Sequence, residues 1–227
     1  MGLIDISGPI RDGMWYYGEP YLDMPVHPVR VKEVDFPPPY TGRIYTQELE
    51  MCVQTGSYLE TAAHAIKGRE EIDDVPLERS WMVPAVVIHT PKGPLEKVTL
   101  AEAKADLAAQ GLTIEKGDAV LFHTGWDSAY HDPQRYLTQM PYIAGDLMHW
   151  VMDHEPGIIG CDTPRADSPT DPQHFFERFF STQILLLGCV TNLGAVPRGG
   201  PKTRLCALPL PIDGACASPV RVVLVTP

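Results

Sequence analysis

Four short apolar runs most constrain how this chain can fold. They lie at residues 85–88, 118–124, 157–161 and 184–187. The first run is rich in β-branched residues, and all four are too short for typical buried helices, so each is predicted to be a strand. Helical patterns lie between them. This mixed order of strands and helices predicts an α/β or α+β fold with a substantial sheet.

The clearest helix signal begins at Thr99. Thr99 is a predicted N-cap, Glu102 completes a capping box, and Gly111 is typical of the residue that follows a helix. A second helix is predicted over residues 144–154, and a short third helix begins at Asp171 and Pro172. Further strands are predicted at residues 3–7, 43–53, 204–210 and 219–225.

Length and composition indicate a globular protein. The chain has 227 residues, of which 44% are hydrophobic and 21% are charged. No linker, repeat or low-complexity tract is visible, so residues 1–227 are predicted to form a single domain. Five scattered cysteines, none spaced as CxxC, are typical of reduced thiols rather than of a disulfide framework.

The charge of the chain limits its partners. A net charge of −11 argues against nucleic acid and anionic membranes, which need clustered lysine and arginine. No apolar run is long enough to span a bilayer, and the N-terminus lacks the pattern of a secretory signal. The sequence therefore predicts a cytoplasmic protein with a small-molecule partner.

Residues 54–64 hold the densest group of chemically useful side chains. If residues 54–60 run extended, Gln54, Tyr58 and Glu60 share one face with Gly56, and His64 follows closely. A carboxamide, a phenol, a carboxylate and an imidazole would then converge, as in an active site. The alternative is a half-solvated strand that runs into a loop.

Three other groups are ambiguous in the sequence. Trp15 lies in an aromatic loop and is a pocket lid, a subunit contact or cover for the core. Asp162 follows a predicted strand and is either a site residue or a turn former. Four phenylalanines at helical spacing favour a core or a subunit interface over a substrate wall, and they are Phe175, Phe176, Phe179 and Phe180.

Several familiar catalytic motifs are absent from the sequence. It contains no GxGxxG, Walker loop, GxSxG or HExxH. Nucleotide-cofactor enzymes, α/β-hydrolase-type serine enzymes and zincin metalloproteases are therefore not the first expectation.

A series of short motifs spans nearly the whole chain. In order, they are Ile4-Asp5-Ile6-Ser7-Gly8-Pro9-Ile10, Gly13-Met14, Gly18-Glu19-Pro20, Lys116-Gly117-Asp118, Thr124-Gly125-Trp126, Gly160-Cys161-Asp162-Thr163-Pro164, Thr191-Asn192-Leu193, Ala207-Leu208-Pro209-Leu210, Gly214 and Ser218-Pro219-Val220-Arg221. In this order they resemble the cyclase family that includes bacterial kynurenine formamidase. The resemblance implies a β/β/α fold with a central barrel-like mixed sheet and peripheral helices. It also implies a homodimer or homotetramer, and a metal-dependent hydrolase of amides or lactones of small carbonyl compounds.

The metal motif of that family, His-x-Gly-Thr-His-x-Asp-x-Pro-x-His, falls on residues 54–64, where this chain departs from it. Gln54 and Tyr58 stand at histidine ligand positions, and Glu60 stands at the aspartate position. His64 keeps the identity of the family's catalytic acid/base. The family's later glutamate ligand falls on Gly188.

These replacements predict a member of the family that has lost its metal. A carboxamide is a weak ligand for zinc or manganese, and a phenol must first lose a proton. We therefore expect no cofactor, with an ion held loosely by Glu60 and Gln54 as the alternative. The predicted catalytic residues are His64, Glu60 and Tyr58. The predicted substrate-binding residues are Gln54, Trp15 and Asp162.

The expected chemistry is metal-independent acid–base catalysis on a small carbonyl compound, by elimination, dehydration, tautomerisation or ring closure. Two alternatives stay open at this point. One is a metal-dependent hydrolase of an amide or lactone, and the other is a non-catalytic protein that binds a small molecule.

Overall fold

The computed structural model of the chain describes residues 1–11, 13–19, 32–46, 49–168 and 170–227. Within these ranges, no helix combines the length and the apolar character needed to cross a bilayer. The strands are β1 Gly2–Asp5, β2 Lys32–Asp35, β3 Arg43–Thr46, β4 Tyr58–Glu60, β5 Val83–His89, β6 Lys97–Val98, β7 Ala119–His123, β8 Tyr142–Ile143, β9 Ile158–Cys161, β10 Leu185–Gly188, β11 Thr203–Cys206, β12 Ala217–Pro219 and β13 Val223–Thr226. The helices are α1 Leu100–Gln110, α2 Pro133–Thr138, α3 Gly145–Asp153 and α4 Phe176–Ser181.

Nine of the described strands form one curled sheet that resembles a half-barrel. Their order is β1-β13-β11-β5-β7-β9-β10-β4-β12. Strands β5, β7, β9 and β10 pair in parallel at the centre, whereas the flanking pairs are antiparallel. The predicted α/β class and the barrel-like mixed sheet are therefore confirmed.

Both faces of the central sheet are covered. Val86 and Val120 point to the side where α1 and α3 pack, together with Leu107 and Leu147. Their neighbours in sequence, Val87 and Leu121, point to the other side of the sheet and belong to a second core. Burial on both faces explains why these strands are continuous apolar runs rather than alternating ones.

The two longer predicted helices are confirmed. The Thr99 hydroxyl accepts a hydrogen bond from the backbone N–H of Glu102, and the Glu102 carboxylate accepts one from the backbone N–H of Thr99. Gly111 adopts a left-handed conformation with φ 67°. The third helix, α4, does not begin at Asp171. That carboxylate instead accepts a hydrogen bond from Tyr142 at 3.1 Å, and left-handed His174, with φ 54°, prevents an earlier start of α4.

Strand boundaries near the chain ends differ from the prediction. The strand predicted at 43–53 ends at Thr46, with residues 47 and 48 outside the described ranges. The strand predicted at 204–210 ends at Cys206. The strand predicted at 219–225 is two strands, because β12 ends at Pro219, which has no N–H group to extend the pairing.

The segment that carries the predicted site is only partly extended. Gly56 adopts φ 70°, and the N–H of Thr55 bonds to the carbonyl of Cys52 at 3.1 Å, so a turn precedes β4. The strand begins at Tyr58 and lies between β10 and β12. The prediction of one extended segment from Gln54 to Glu60 is therefore wrong. The turn at Gly56 nevertheless places the side chain of Gln54 within hydrogen-bond distance of Glu60.

Candidate active site

A cavity of about 650 Å³ opens beside β4. Its described lining comes from β4, the ends of β9 and β10, helix α4, the loops after β4 and β9, and the segment after β1 that contains Tyr17. The side chains that matter most below are Tyr17, Tyr58, Glu60, His64, Arg165 and Phe180. The cavity therefore lies where several elements of the sheet end, a common place for small-molecule sites.

Glu60 is the buried acid of this cavity. It is 4% exposed, and its Oε2 atom accepts a hydrogen bond from the Nε2 atom of Gln54 at 3.1 Å. Burial raises the pKa of Glu60 to about 7, although the bond from Gln54 lowers it. A carboxyl group with a pKa near 7 can both take and return a proton at neutral pH.

His64 ends a short 3-10 helix, Ala62–His64, whose start is capped by the hydroxyl of Thr61. Its side chain is 29% exposed, and its Nδ1 atom lies 3.6 Å from Glu60 Oε2, beyond hydrogen-bond distance. Burial lowers the pKa of His64 below its ordinary 6.5. The imidazole is therefore neutral at pH 7 and above.

Gln54 joins the two acid–base residues. Its Nε2 atom lies 3.1 Å from Glu60 Oε2 and 3.1 Å from His64 Nδ1, while its Oε1 atom accepts from the thiol of Cys52. A carboxamide nitrogen has two protons, which matches these two acceptors. His64 Nδ1 is then the acceptor, so the proton of the neutral imidazole is on Nε2.

Tyr58 is buried, and its hydroxyl group lies 3.0 Å from that of Tyr17. The Tyr17 hydroxyl donates to the carbonyl of Pro164 at 2.8 Å. Because Tyr17 has one hydroxyl proton and a carbonyl can only accept, Tyr58 is the donor in the bond between the two phenols. The single proton of Tyr58 is thus directed at Tyr17 rather than at a substrate.

Tyr58 also packs against the partner strand in a way that needs glycine. Gly188 of β10 is in register with Tyr58 of β4. A Cβ atom on Gly188 would lie 2.5 Å from the Cε1 atom of Tyr58, much closer than a van der Waals contact. The phenol ring therefore fills the space that a side chain at position 188 would need.

The donors at the family's metal positions do not fit a divalent metal. The amide oxygen of Gln54 faces a thiol, and burial raises the pKa of Tyr58 well above 10, so its phenolate is disfavoured. Gly188 offers no side-chain donor. Among the residues that the structure describes, no group of three His, Cys, Asp or Glu side chains is arranged to hold a metal.

Trp15 lies behind the cavity. It is 2% exposed and packs against the rings of Tyr17, Tyr130 and Tyr136, with ring centroids 5.2–5.6 Å away. It is not among the described residues that line the cavity. Its position supports Tyr17, which does reach the cavity.

Asp162 is fully buried and also lies outside the described lining. Its carboxylate accepts hydrogen bonds from the backbone and the hydroxyl of Thr124, at 2.8 and 2.6 Å, and from the backbone of Gly125 at 2.7 Å. Burial raises the pKa of Asp162 to about 7 against these bonds. The side chain joins the ends of β7 and β9, as a turn former does.

Several lining residues were not singled out from the sequence. Tyr17 and Arg165 line the cavity although no motif in the sequence indicates either of them. Phe176 and Phe180 stack with ring centroids 5.7 Å apart and form one wall. Their helical spacing was the available signal for that wall, whereas Tyr17 and Arg165 are distant in sequence from β4.

A comparison with known proteins places this fold in a family. Residues 4–168, more than half of the chain, match the family model described as "Putative cyclase". The chain belongs to the cyclase family. A kynurenine formamidase from Salinibacter ruber is 28% identical over 181 residues, which cover 78% of this chain and 77% of that protein. One from Bacillus cereus is 23% identical over 97% of this chain and 96% of its own length.

Solved structures agree at the level of the fold. An isatin hydrolase bound to the product analogue thioisatinate superposes with a TM-score of 0.79 at 20% identity, covering 99% of this chain and 92% of that one. A protein described as a potential metal-dependent hydrolase with cyclase activity gives 0.69 at 19% identity, covering 98% and 96%. These likenesses show that the chain has the fold of these cyclase-family structures.

Proposed function

We propose that this cyclase-family enzyme acts on a small carbonyl compound through general acid–base catalysis by Glu60, assisted by His64. The observation that carries the proposal is a buried carboxyl group, with a pKa of about 7, that lines a cavity beside a neutral imidazole. Strongly perturbed acids in a cavity are typical of catalytic sites.

The proposed reaction adds water to a carbonyl group or removes it. In the hydrolytic direction, the Glu60 carboxylate takes a proton from water while the water oxygen attacks the carbonyl carbon. The Nε2–H group of neutral His64 donates a hydrogen bond to the carbonyl oxygen as negative charge develops there. Glu60 then returns the proton to the departing nitrogen or oxygen as its bond to carbon breaks.

Ring closure with loss of water is the reverse of this reaction. The same base and donor therefore serve both directions, by microscopic reversibility. The similarity to kynurenine formamidases favours hydrolysis of an amide, and one structural neighbour is a potential metal-dependent hydrolase with cyclase activity. We assign the hydrolytic direction to this chain.

We further propose that the reaction needs no resident metal. The support is the donor set, in which the carboxamide of Gln54 bridges Glu60 and His64 and the phenol of Tyr58 is protonated. The competing proposal is a metal-dependent hydrolase, favoured by the likeness to two structures described as potential or predicted metal-dependent hydrolases.

The test uses isatin and formanilide as probe substrates with protein of measured metal content. We expect the wild type to keep its turnover in the presence of a chelator. We expect Glu60→Gln to lower that turnover by about 100-fold or more. Glu78→Gln, the same change at an exposed position away from the cavity, is the control. Turnover that is lost with chelator and restored by zinc or manganese supports the metal-dependent hydrolase instead.

A non-catalytic protein would give a different result. It would bind small aromatic compounds in this cavity, and neither probe would be consumed at any metal content. Binding that survives both Glu60→Gln and His64→Ala, with no chemistry in the wild type, would therefore contradict the proposed function.

A further inference from the structure

Arg165 is a charged group at the cavity that the proposed chemistry does not use. It follows Pro164 in the loop after β9 and lines the cavity with Glu60. The hydroxyl of Thr163 donates to the carbonyl of Arg165 at 2.7 Å and holds the loop. The Cζ atom of Arg165 lies 5.8 Å from the ring centroid of Tyr17, so the guanidinium stacks over a lining aromatic ring.

The guanidinium of Arg165 has none of the carboxylate partners that several described arginines have. Arg178 pairs with Asp153 at 2.6 Å, and Arg79 pairs with Glu70 at 2.5 Å. No carboxylate of the described residues lies within 4.0 Å of Arg165. Its donors, which match a carboxylate in a bidentate manner, are thus available to a ligand.

The other described side chains around the cavity are apolar, neutral and polar, or acidic. Among the described lining residues, Arg165 is the one with a side chain that is positively charged at neutral pH. The whole chain has a net charge of −11, so a bound anion would be repelled elsewhere on the molecule. A cation in this position compensates that repulsion locally.

Another part of the described lining fits an aromatic ring. Phe176 and Phe180 stack at 5.7 Å, and the ring of Phe180 lies 5.9 Å from that of His64. A flat ligand packed on this wall would occupy the same cavity that Glu60 and Arg165 line.

We propose that Arg165 binds a carboxylate group of the substrate, so that the enzyme acts on aromatic carbonyl compounds that carry a carboxylate. This inference rests on the proposed function for the reacting group, but the binding of the carboxylate is independent of turnover. Arg165 thereby determines specificity, while Glu60 and His64 act on the carbonyl group.

The test compares two probes of nearly the same shape, benzoate and benzamide, by isothermal titration calorimetry. Wild-type protein is expected to bind benzoate about tenfold or more tightly than benzamide at low salt, the range for a hydrogen bond to a charged group. Arg165→Gln is expected to remove this preference without weakening benzamide, and Arg165→Lys to retain part of it.

Arg135→Gln is the matched control. Arg135 also stacks on an aromatic ring, with its Cζ atom 5.1 Å from the ring centroid of Trp126, but it is not among the described lining residues. Its loss removes the same charge from the chain and is expected to leave the preference for benzoate unchanged. An equal effect of both variants would show a nonspecific charge effect and overturn the proposal.

Other outcomes are equally decisive. A wild type that binds benzoate no more tightly than benzamide contradicts the proposal, as does a failure of benzoate to bind at millimolar concentration. Retained turnover in Glu60→Gln would refute the proposed function, yet a benzoate preference lost only in Arg165→Gln would still support the carboxylate site. The two proposals can therefore fail separately.

Discussion

Glu60 is the residue where folding and the proposed chemistry compete. Its pKa rises from about 4.5 to about 7 on folding, so the folded state holds the protonated form more tightly than the unfolded state does. The contribution of Glu60 to the free energy of unfolding is therefore fully present below pH 4.5 and is lost as the pH rises through 7. The buried carboxylate is retained at neutral pH at the expense of stability.

Glu60→Gln should therefore be more stable than the wild type at high pH. Glutamine resembles the protonated acid, so the two proteins should have similar unfolding free energies near pH 4. At pH 8 the variant should be more stable by on the order of 2–3 kcal/mol. Urea denaturation at both pH values measures this, and a difference that does not grow with pH would contradict the expectation.

Tyr58 should matter less to turnover than Glu60. Its one hydroxyl proton is directed at Tyr17, so Tyr58→Phe removes a buried hydrogen bond but no donor to the substrate. We expect turnover of a consumed probe to fall by less than about tenfold, against about 100-fold for Glu60→Gln. A loss in Tyr58→Phe as large as that in Glu60→Gln would restore the catalytic role predicted from the sequence.

Part of the site could be predicted at the residue scale. Gln54, Glu60 and His64 do meet, although the predicted shared strand face is not the reason, because a turn at Gly56 brings Gln54 back. Tyr17 could not be predicted as a lining residue, since its contacts with Tyr58 depend on a loop that is distant in sequence. The catalytic and substrate-binding roles of all these residues stay predictions.

At the scale of elements, β4 and β10 fit each other through one large and one absent side chain. Gly188→Ala would place a Cβ atom against the Tyr58 ring, at a cost of about 1–3 kcal/mol in stability. In the Tyr58→Ala background, which has no ring to displace, the same change should cost much less. Equal costs in both backgrounds, measured by a double-mutant cycle of urea denaturation, would show that this packing is unimportant.

Asp162 joins two strand ends, and its loss should affect folding rather than binding. Asp162→Asn can keep one oxygen for the N–H groups of Thr124 and Gly125, but it removes the negative charge and places an NH2 group where Oδ1 accepts from the Thr124 hydroxyl. We expect a loss of about 2–3 kcal/mol in unfolding free energy with unchanged benzoate affinity of the folded protein. A stable variant with weakened benzoate binding would instead support the substrate-binding role predicted from the sequence.

Elements were predictable where local signals agree with tertiary packing. The capping box of α1 and the apolar runs of β5, β7, β9 and β10 are of this kind. The predicted start of the third helix at Asp171 is wrong because the Asp171 carboxylate accepts a hydrogen bond from Tyr142, a contact that no local pattern reveals.

At the scale of the molecule, the curled mixed sheet and the cyclase family agree with the sequence-based expectation. The single domain, the homodimer or homotetramer and the cytoplasmic location stay predictions. The sheet brings β4, separated by more than 120 residues from β10 and β12, between those two strands. Such long-range pairing depends on the whole fold, so the cavity could not be derived from local patterns.

The central claim is that this fold buries Glu60 so that it exchanges protons near neutral pH. Carbon-13 NMR of protein labelled at the glutamate carboxyl carbon measures this directly, and Glu60→Gln assigns the signal. We predict a titration midpoint at about 7. A midpoint near 4.5, the ordinary value for glutamate, would contradict the account.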